Sequence, residues 1–297
     1  MDNTLRKRAF FAYTLFFLII TTASPLFAFG DRYRTEGMAT DARNCGKGCG
    51  AILSKHAHFI YNPAVIIFQK RFIITGIYNY KDSGGVLISD SKSSPYGGGI
   101  AYIRYNDLNI IKTNFAIPLG KNFAFGTNVN YFNGDMYEIQ KKGINTSSFD
   151  FGLAGQLFDM LYIGFGALNA FSITKTWVPV KLSTQVEVVL FKHMLAINAA
   201  FIFHVQPEKE KIHNRRSEMR YVDFATGVEF RWKILMLSMG FHNSSFETDF
   251  TWKSLTKTYG LSIYLMEKGG ISTTFYWQRD HYGFTIDLSF EPSPQGK

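Results

Sequence analysis

Side chains able to do chemistry are spread thinly along this chain, and most stand at every second position of an apolar-rich segment. Arg104, Lys112, Asp150, Lys181, Glu187, His204, Asp223, Glu229, Arg231 and Asp287 all fall on the smaller, more polar side of such an alternation. Setting His204 aside, four are basic and five acidic. A selective ion pathway needs one sign of charge to dominate its constriction, so a near-balanced set reads as ion pairs that fill an interior. Ser289, Asp287 and His281 share one side of the last segment and have the residue types of a nucleophile relay. Six residues of strand separate His281 from Asp287, roughly 20 Å at ~3.3 Å per residue, whereas a relay needs about 3 Å. No catalytic residue is therefore expected, and an enzyme is not.

Cys45 and Cys49 stand in Cys-Gly-Lys-Gly-Cys and are the two cysteines of the chain. In an oxidising compartment a pair this close is expected to close a small disulfide loop. Zinc is the alternative, with His56 and His58 completing a cysteine and histidine ligand set. The disulfide is preferred, and neither a metal nor a cofactor is expected. Gly46-Lys47-Gly48 lacks both the preceding strand and the Lys-Ser/Thr pair of a phosphate loop.

The compartment is set by the N-terminus. Arg6, Lys7 and Arg8 precede an apolar run from Ala9 to Ile20, and Leu26-Phe27-Ala28 ends in a small residue. This is the grammar of a cleaved secretory signal over residues 1–28. An uncleaved span would need ~20 apolar residues, and Thr21, Thr22, Ser24 and Pro25 interrupt this one. The signal accounts for +2 of the net charge of +9, leaving +7 on the exported part. That surplus suits anionic lipid headgroups and lipopolysaccharide; an exported chain has no call for nucleic acid.

Beyond Ala28 no apolar stretch reaches helical spanning length, yet aromatic residues make up 16% of the chain. From Lys70 onward, segments of about ten residues alternate apolar and polar positions and end in turns. Period two puts alternate side chains on opposite faces of a sheet. In one segment Phe123, Phe125, Val129 and Tyr131 oppose Ala124, Gly126, Asn128 and Asn130; in another Val222, Phe224, Val228, Phe230 and Trp232 oppose Asp223, Ala225, Gly227, Glu229 and Arg231. Fourteen such segments are predicted, with twelve as the alternative because the second, near 85–93, is short. Connections after even-numbered segments are tight, as at Gly120-Lys121 and Lys233, whereas 133–146, 206–218 and 244–255 after odd-numbered ones read as long loops. A membrane barrel with both termini on the periplasmic side has this rhythm. The fold class is thus an all-β transmembrane antiparallel barrel, with the apolar stripe toward lipid and inward apolar residues such as Ile100, Ile202 and Met236.

Gly37-Met38-Ala39 and Asn62-Pro63-Ala64, together with the run from Thr113 to Gly126, resemble the N-terminal hatch and central hairpin of the FadL-like and PorV-like outer-membrane families. The resemblance implies a fourteen-stranded barrel of a Gram-negative outer membrane, with an N-terminal plug in its lumen. It implies a division into residues 29–64 as hatch, 65–291 as barrel and 292–297 as tail. It also implies uptake or binding of small hydrophobic compounds, or alternatively docking of partner proteins by a barrel that transports nothing. The compact loops and the Cys45/Cys49 pair depart from the families' pattern.

Overall fold

A computed structural model describes residues 58–79, 83–105, 107–136, 141–158, 160–173, 180–191, 194–205, 221–243, 256–264, 270–278 and 281–290. The strands are β1 (Phe72–Asn79), β2 (Ser83–Asp90), β3 (Gly97–Tyr105), β4 (Leu108–Leu119), β5 (Phe123–Met136), β6 (Lys141–Leu157) and β7 (Leu161–Ser172). They continue as β8 (Val180–Leu190), β9 (Leu195–Val205), β10 (Tyr221–Trp232), β11 (Leu235–Asn243), β12 (Thr256–Tyr264), β13 (Gly270–Gln278) and β14 (His281–Phe290). Each pairs antiparallel with its neighbours in sequence. β1 also pairs with β14, from Phe72 opposite Phe290 to Asn79 opposite Gly283, and this closes the sheet. The short second segment is a full member of the wall, paired along its length with β1 and β3.

The sequence alternation becomes an inside and an outside. Along β4 the buried side chains are Leu108, Ile110, Lys112, Asn114 and Ala116, while Ile111, Phe115 and Leu119 are 40%, 54% and 47% exposed. Along β10 Ala225, Gly227 and Glu229 are buried, and Val228, Phe230 and Trp232 are exposed. Lipid supplies no hydrogen bonds, so a closed sheet with an apolar exterior is the one sheet architecture that can span a membrane. Among the described residues no helix is long and apolar enough to do so. From Asn109 to Leu119 the outward stripe of β4 rises about 26 Å at ~3.4 Å per residue and ~40° of tilt, close to the apolar band of such barrels.

Turn chemistry explains the tight ends. Gly120, Phe158, Phe191 and Lys233 take φ of +78°, +56°, +50° and +52° at the turns after β4, β6, β8 and β10. Left-handed residues let a right-twisted hairpin reverse within a few positions. One expected loop is shorter than the alternation suggests: residues 133–136 and 141–146 extend β5 and β6, paired from Asn133 with Asn145 to Met136 with Lys141. Their polar side chains had masked the strand, because a wall that projects beyond the apolar band no longer needs an apolar face.

The core lies inside the barrel, not between layers. Phe59, Ile60, Tyr61 and Ile66 pack against Ile77, Leu87, Ala101, Ile103, Leu108, Ile110 and Phe132 of the β1–β5 wall. Ala64 and Val65 pack against Ala124, Ala154, Tyr162, Val189 and Ala196.

Candidate functional site

Residues 58–69 are the described part of the segment that precedes β1, and they pack against the inner wall. Asn62 begins a tight turn: its Oδ1 accepts the Ala64 N–H at 3.1 Å, and its carbonyl accepts the Val65 N–H at 3.3 Å. A single 3₁₀ turn, Val65–Phe68, follows. Asparagine suits the first position because its short amide can bond the backbone two residues on. Proline suits the second because it brings no N–H to bury.

The wall is shaped to receive this turn. A Cβ on Gly126 would collide with the Pro63 carbonyl group and stand 2.6 Å from the Ala64 nitrogen. A Cβ on Gly152 would strike the Asn62 side-chain oxygen and lie 2.7 Å from Pro63 Cδ. Both glycines are therefore required by close approach, not by conformation. The seated turn is then bonded from three strands. Asn62 Nδ2 donates to the Leu153 carbonyl at 3.1 Å, Asn114 Nδ2 to the Pro63 carbonyl at 3.1 Å, and Asn128 Nδ2 to the Phe59 carbonyl at 3.1 Å.

Behind these amides lies a buried charge. Asp150 has no exposed surface and accepts Lys112 Nζ at 3.0 Å, Asn128 Nδ2 at 3.0 Å, Asn130 Nδ2 at 2.6 Å and the Asn169 N–H at 2.8 Å. Asn169 has a φ of +55° where the β6–β7 register shifts between Phe149 and Phe151. The bulge thus turns a backbone donor toward the carboxylate. On the far side Asp287 takes hydrogen bonds from Thr75 Oγ1 at 2.7 Å and Ser272 Oγ at 3.2 Å, with His58 Nε2 of the hatch 4.0 Å away. Thr75 and Ser272 thus tie Asp287 to the neighbouring strands β1 and β13.

Lys112, Asp150, Lys181, Glu187, Glu229 and Asp287 are buried on the inward face, and Arg231 lies over the Tyr264 ring, 4.5 Å from its centroid. Ile202 and Met236 are inward and buried. Two placements are corrected. Ile100 is 49% exposed, and Arg104 lies on the same outer face, with exposed Tyr102 between them. Gly97 and Gly99 must face inward because Ile66 and Phe59 press on them, and this parity sends positions 100, 102 and 104 outward. Near the end of β3, an outward arginine reaches past the apolar band. The side chains of His204 and Asp223 lie outside the described residues, as do Gly37, Met38, Cys45 and Cys49. Asn62, Pro63 and Ala64 come together at the seat, which continues beyond Ala64 to buried Gln69.

Asn114, Asn128 and Asn130 were not singled out as site residues by the sequence. The usable signal was three amides on the inward stripes of one hairpin, since buried amides require partners.

The comparisons follow the geometry. No protein-family model and no curated protein matches the chain. Among solved structures, the Ralstonia pickettii toluene transporter TbuX is similar at a TM-score of 0.56 and 10% identity, over 85% of this chain and 98% of that one. A deletion mutant of the monoaromatic hydrocarbon channel TodX is similar at a TM-score of 0.51 and 9% identity, over 87% of this chain and all of that one. At such identity the likeness is one of fold. The fold expected from the alternation, a closed all-β antiparallel barrel of fourteen strands, is the one the structure has.

Proposed function

We propose that this chain is an outer-membrane barrel for uptake or binding of small hydrophobic compounds, through a lumen gated by its N-terminal hatch. The observation that carries the reading is the seat: a turn lodged against Gly126 and Gly152 and hydrogen-bonded by Asn62, Asn114 and Asn128. A segment seated by side-chain hydrogen bonds and apolar packing, and not paired into the sheet, can leave its seat without opening the wall. The fold shared with a toluene transporter and a monoaromatic hydrocarbon channel supports the same reading. In this account residues 1–28 are a cleaved signal, and residues 29–69 are the hatch in a Gram-negative outer membrane. Deleting residues 29–58 is expected to leave a folded, heat-modifiable barrel with raised conductance in planar bilayers. Unchanged conductance would reject the gate.

A second reading is favoured by the buried Lys112–Asp150 pair, which fills space on the inward face of the wall. On that reading the barrel docks partner proteins. Co-purification from native membranes separates the two, since a retained small apolar compound supports uptake and a stoichiometric protein supports docking.

A further inference from the structure

The turns at one end of the barrel share a chemistry that the other end lacks. Lys92 lies between β2 and β3, Lys121 between β4 and β5, and Lys233 between β10 and β11, while Lys70 precedes β1 at the same end. All four are exposed. In the sequence Lys192 falls between β8 and β9, and Lys268 between β12 and β13. The β6–β7 connection departs from the pattern, with Asp159 in place of a lysine. At the other end the described residues mix their signs, Arg104 and Lys257 standing with Asp107 and Asp135.

The lysines are set among large apolar side chains at the outer edge of the wall. Leu119 and Phe123 flank Lys121, Trp232 and Ile234 flank Lys233, and all four of these flanking residues are exposed. Phe158, Phe191 and Met194 are exposed at the turns between them. Lys233 Nζ lies over the Trp232 ring, 5.4 Å from its centroid. Rings that meet acyl chains, beside ammonium groups that reach the headgroups, are the arrangement of a membrane interface. Asp90, the acid at the β2 end of this rim, turns Oδ1 to its own backbone, accepting the Lys92 N–H at 2.8 Å and the Ser93 N–H at 3.1 Å. Lys92 and Lys121 stand two strands apart, roughly 10 Å at ~4.8 Å per strand. Like charges so spaced all favour one extended anionic surface.

We infer that this end of the barrel is a binding rim for anionic phospholipid headgroups such as phosphatidylglycerol, with Lys70, Lys92, Lys121 and Lys233 meeting the phosphates. The apolar flanks favour a lipid surface over an acidic protein, because they are matched to acyl chains. A lysine near an anionic lipid surface gains about fivefold in affinity, and salt screens that gain. The rim stands apart from the lumen and does not depend on the uptake reading.

Trp232 is the reporter for the test, in a barrel whose Trp177, Trp252 and Trp277 are changed to phenylalanine. The protein is reconstituted in vesicles of phosphatidylglycerol and phosphatidylcholine, with one or the other lipid brominated to quench fluorescence. The expected result is enrichment of phosphatidylglycerol at Trp232 over its share of the vesicle, falling at high salt. Lys233→Gln should lower the enrichment about fivefold, and Lys257→Gln at the opposite end should leave it unchanged. A second reporter, Phe123→Trp in a chain whose own tryptophans are replaced, should respond to Lys121→Gln in the same way. If the tryptophan replacements fail to give a heat-modifiable barrel, lipids retained by the otherwise unaltered protein, counted by native mass spectrometry with and without Lys121→Gln and Lys233→Gln, carry the comparison. Equal quenching or retention of the two lipids overturns the rim and leaves its lysines to an acidic protein. A preference that the lysine variants leave unchanged overturns it as well.

Discussion

Lys112 and Asp150 meet at 3.0 Å inside the barrel although a whole strand, β5, lies between their own. The curvature of the wall brings inward side chains of alternate strands together, and Asn128 and Asn130 of β5 complete the set from below. Removing one partner of a buried pair strands the other charge, at a cost of about 3–5 kcal/mol. Asp150→Asn is expected to lower the temperature at which the compact form converts to the slow-migrating one on gels. Adding Lys112→Met should restore part of the loss. A single variant as stable as wild type would show that the pair carries no weight.

Gly126 and Gly152 are required only by the hatch. Replacing either with valine should evict Asn62 and Pro63 while keeping the backbone pairs of β4 to β7, since extended strands accept valine readily. The expected outcome is a folded barrel whose hatch residues become accessible to protease, and whose conductance rises. A variant that keeps a protected hatch would refute the seat.

Inside and outside can be tested on one strand. Val228 is 39% exposed on the outer stripe of β10, several residues from either end, and Ala225 is buried on the inner one. Val228→Arg should cost about 2–4 kcal/mol near the membrane midplane. Ala225→Ser should cost little. Reversal of the two, measured by urea titration in lipid vesicles, would invert the assignment.

Orientation follows from the ends of the strands. With Cys45 and Cys49 removed, a single cysteine at Lys209, between β9 and β10, should react with an impermeant thiol reagent on whole cells. One at Lys233, in the turn after β10, should not. Equal labelling would reject the placing of both termini in the periplasm.

Much of this barrel was legible in the sequence because period two is a direct projection of a two-sided wall. β10 and β14 could be assigned side by side from Phe224 to Trp232 and from Tyr282 to Phe290. What failed did so where that projection is weakest. Residues 133–136 and 141–146 hold few apolar side chains, with Ile144 the one buried in the core, so the long β5–β6 hairpin looked like a loop. At β3, Arg104 falls inward when polar is equated with inside, and Ile100 then follows it by parity, although the run Gly97-Gly98-Gly99 gives no parity of its own. Only the hatch, pressing Phe59 and Ile66 onto that strand, decides it. The seat itself needs contacts between residues 51 to 123 positions apart, such as Asn62 with Gln185 and Pro63 with Asn114, which no local pattern encodes.

The seam between β1 and β14 orders the assembly in time. β1 leaves the hatch at Gln69 and a left-handed Lys70, and its outer partner is the last strand of the chain. The wall cannot be completed before that last strand has crossed to the same side. Phe72, three residues after Gln69, meets Phe290, so the segment that carries the seated turn is tethered to the strand pair that closes the ring.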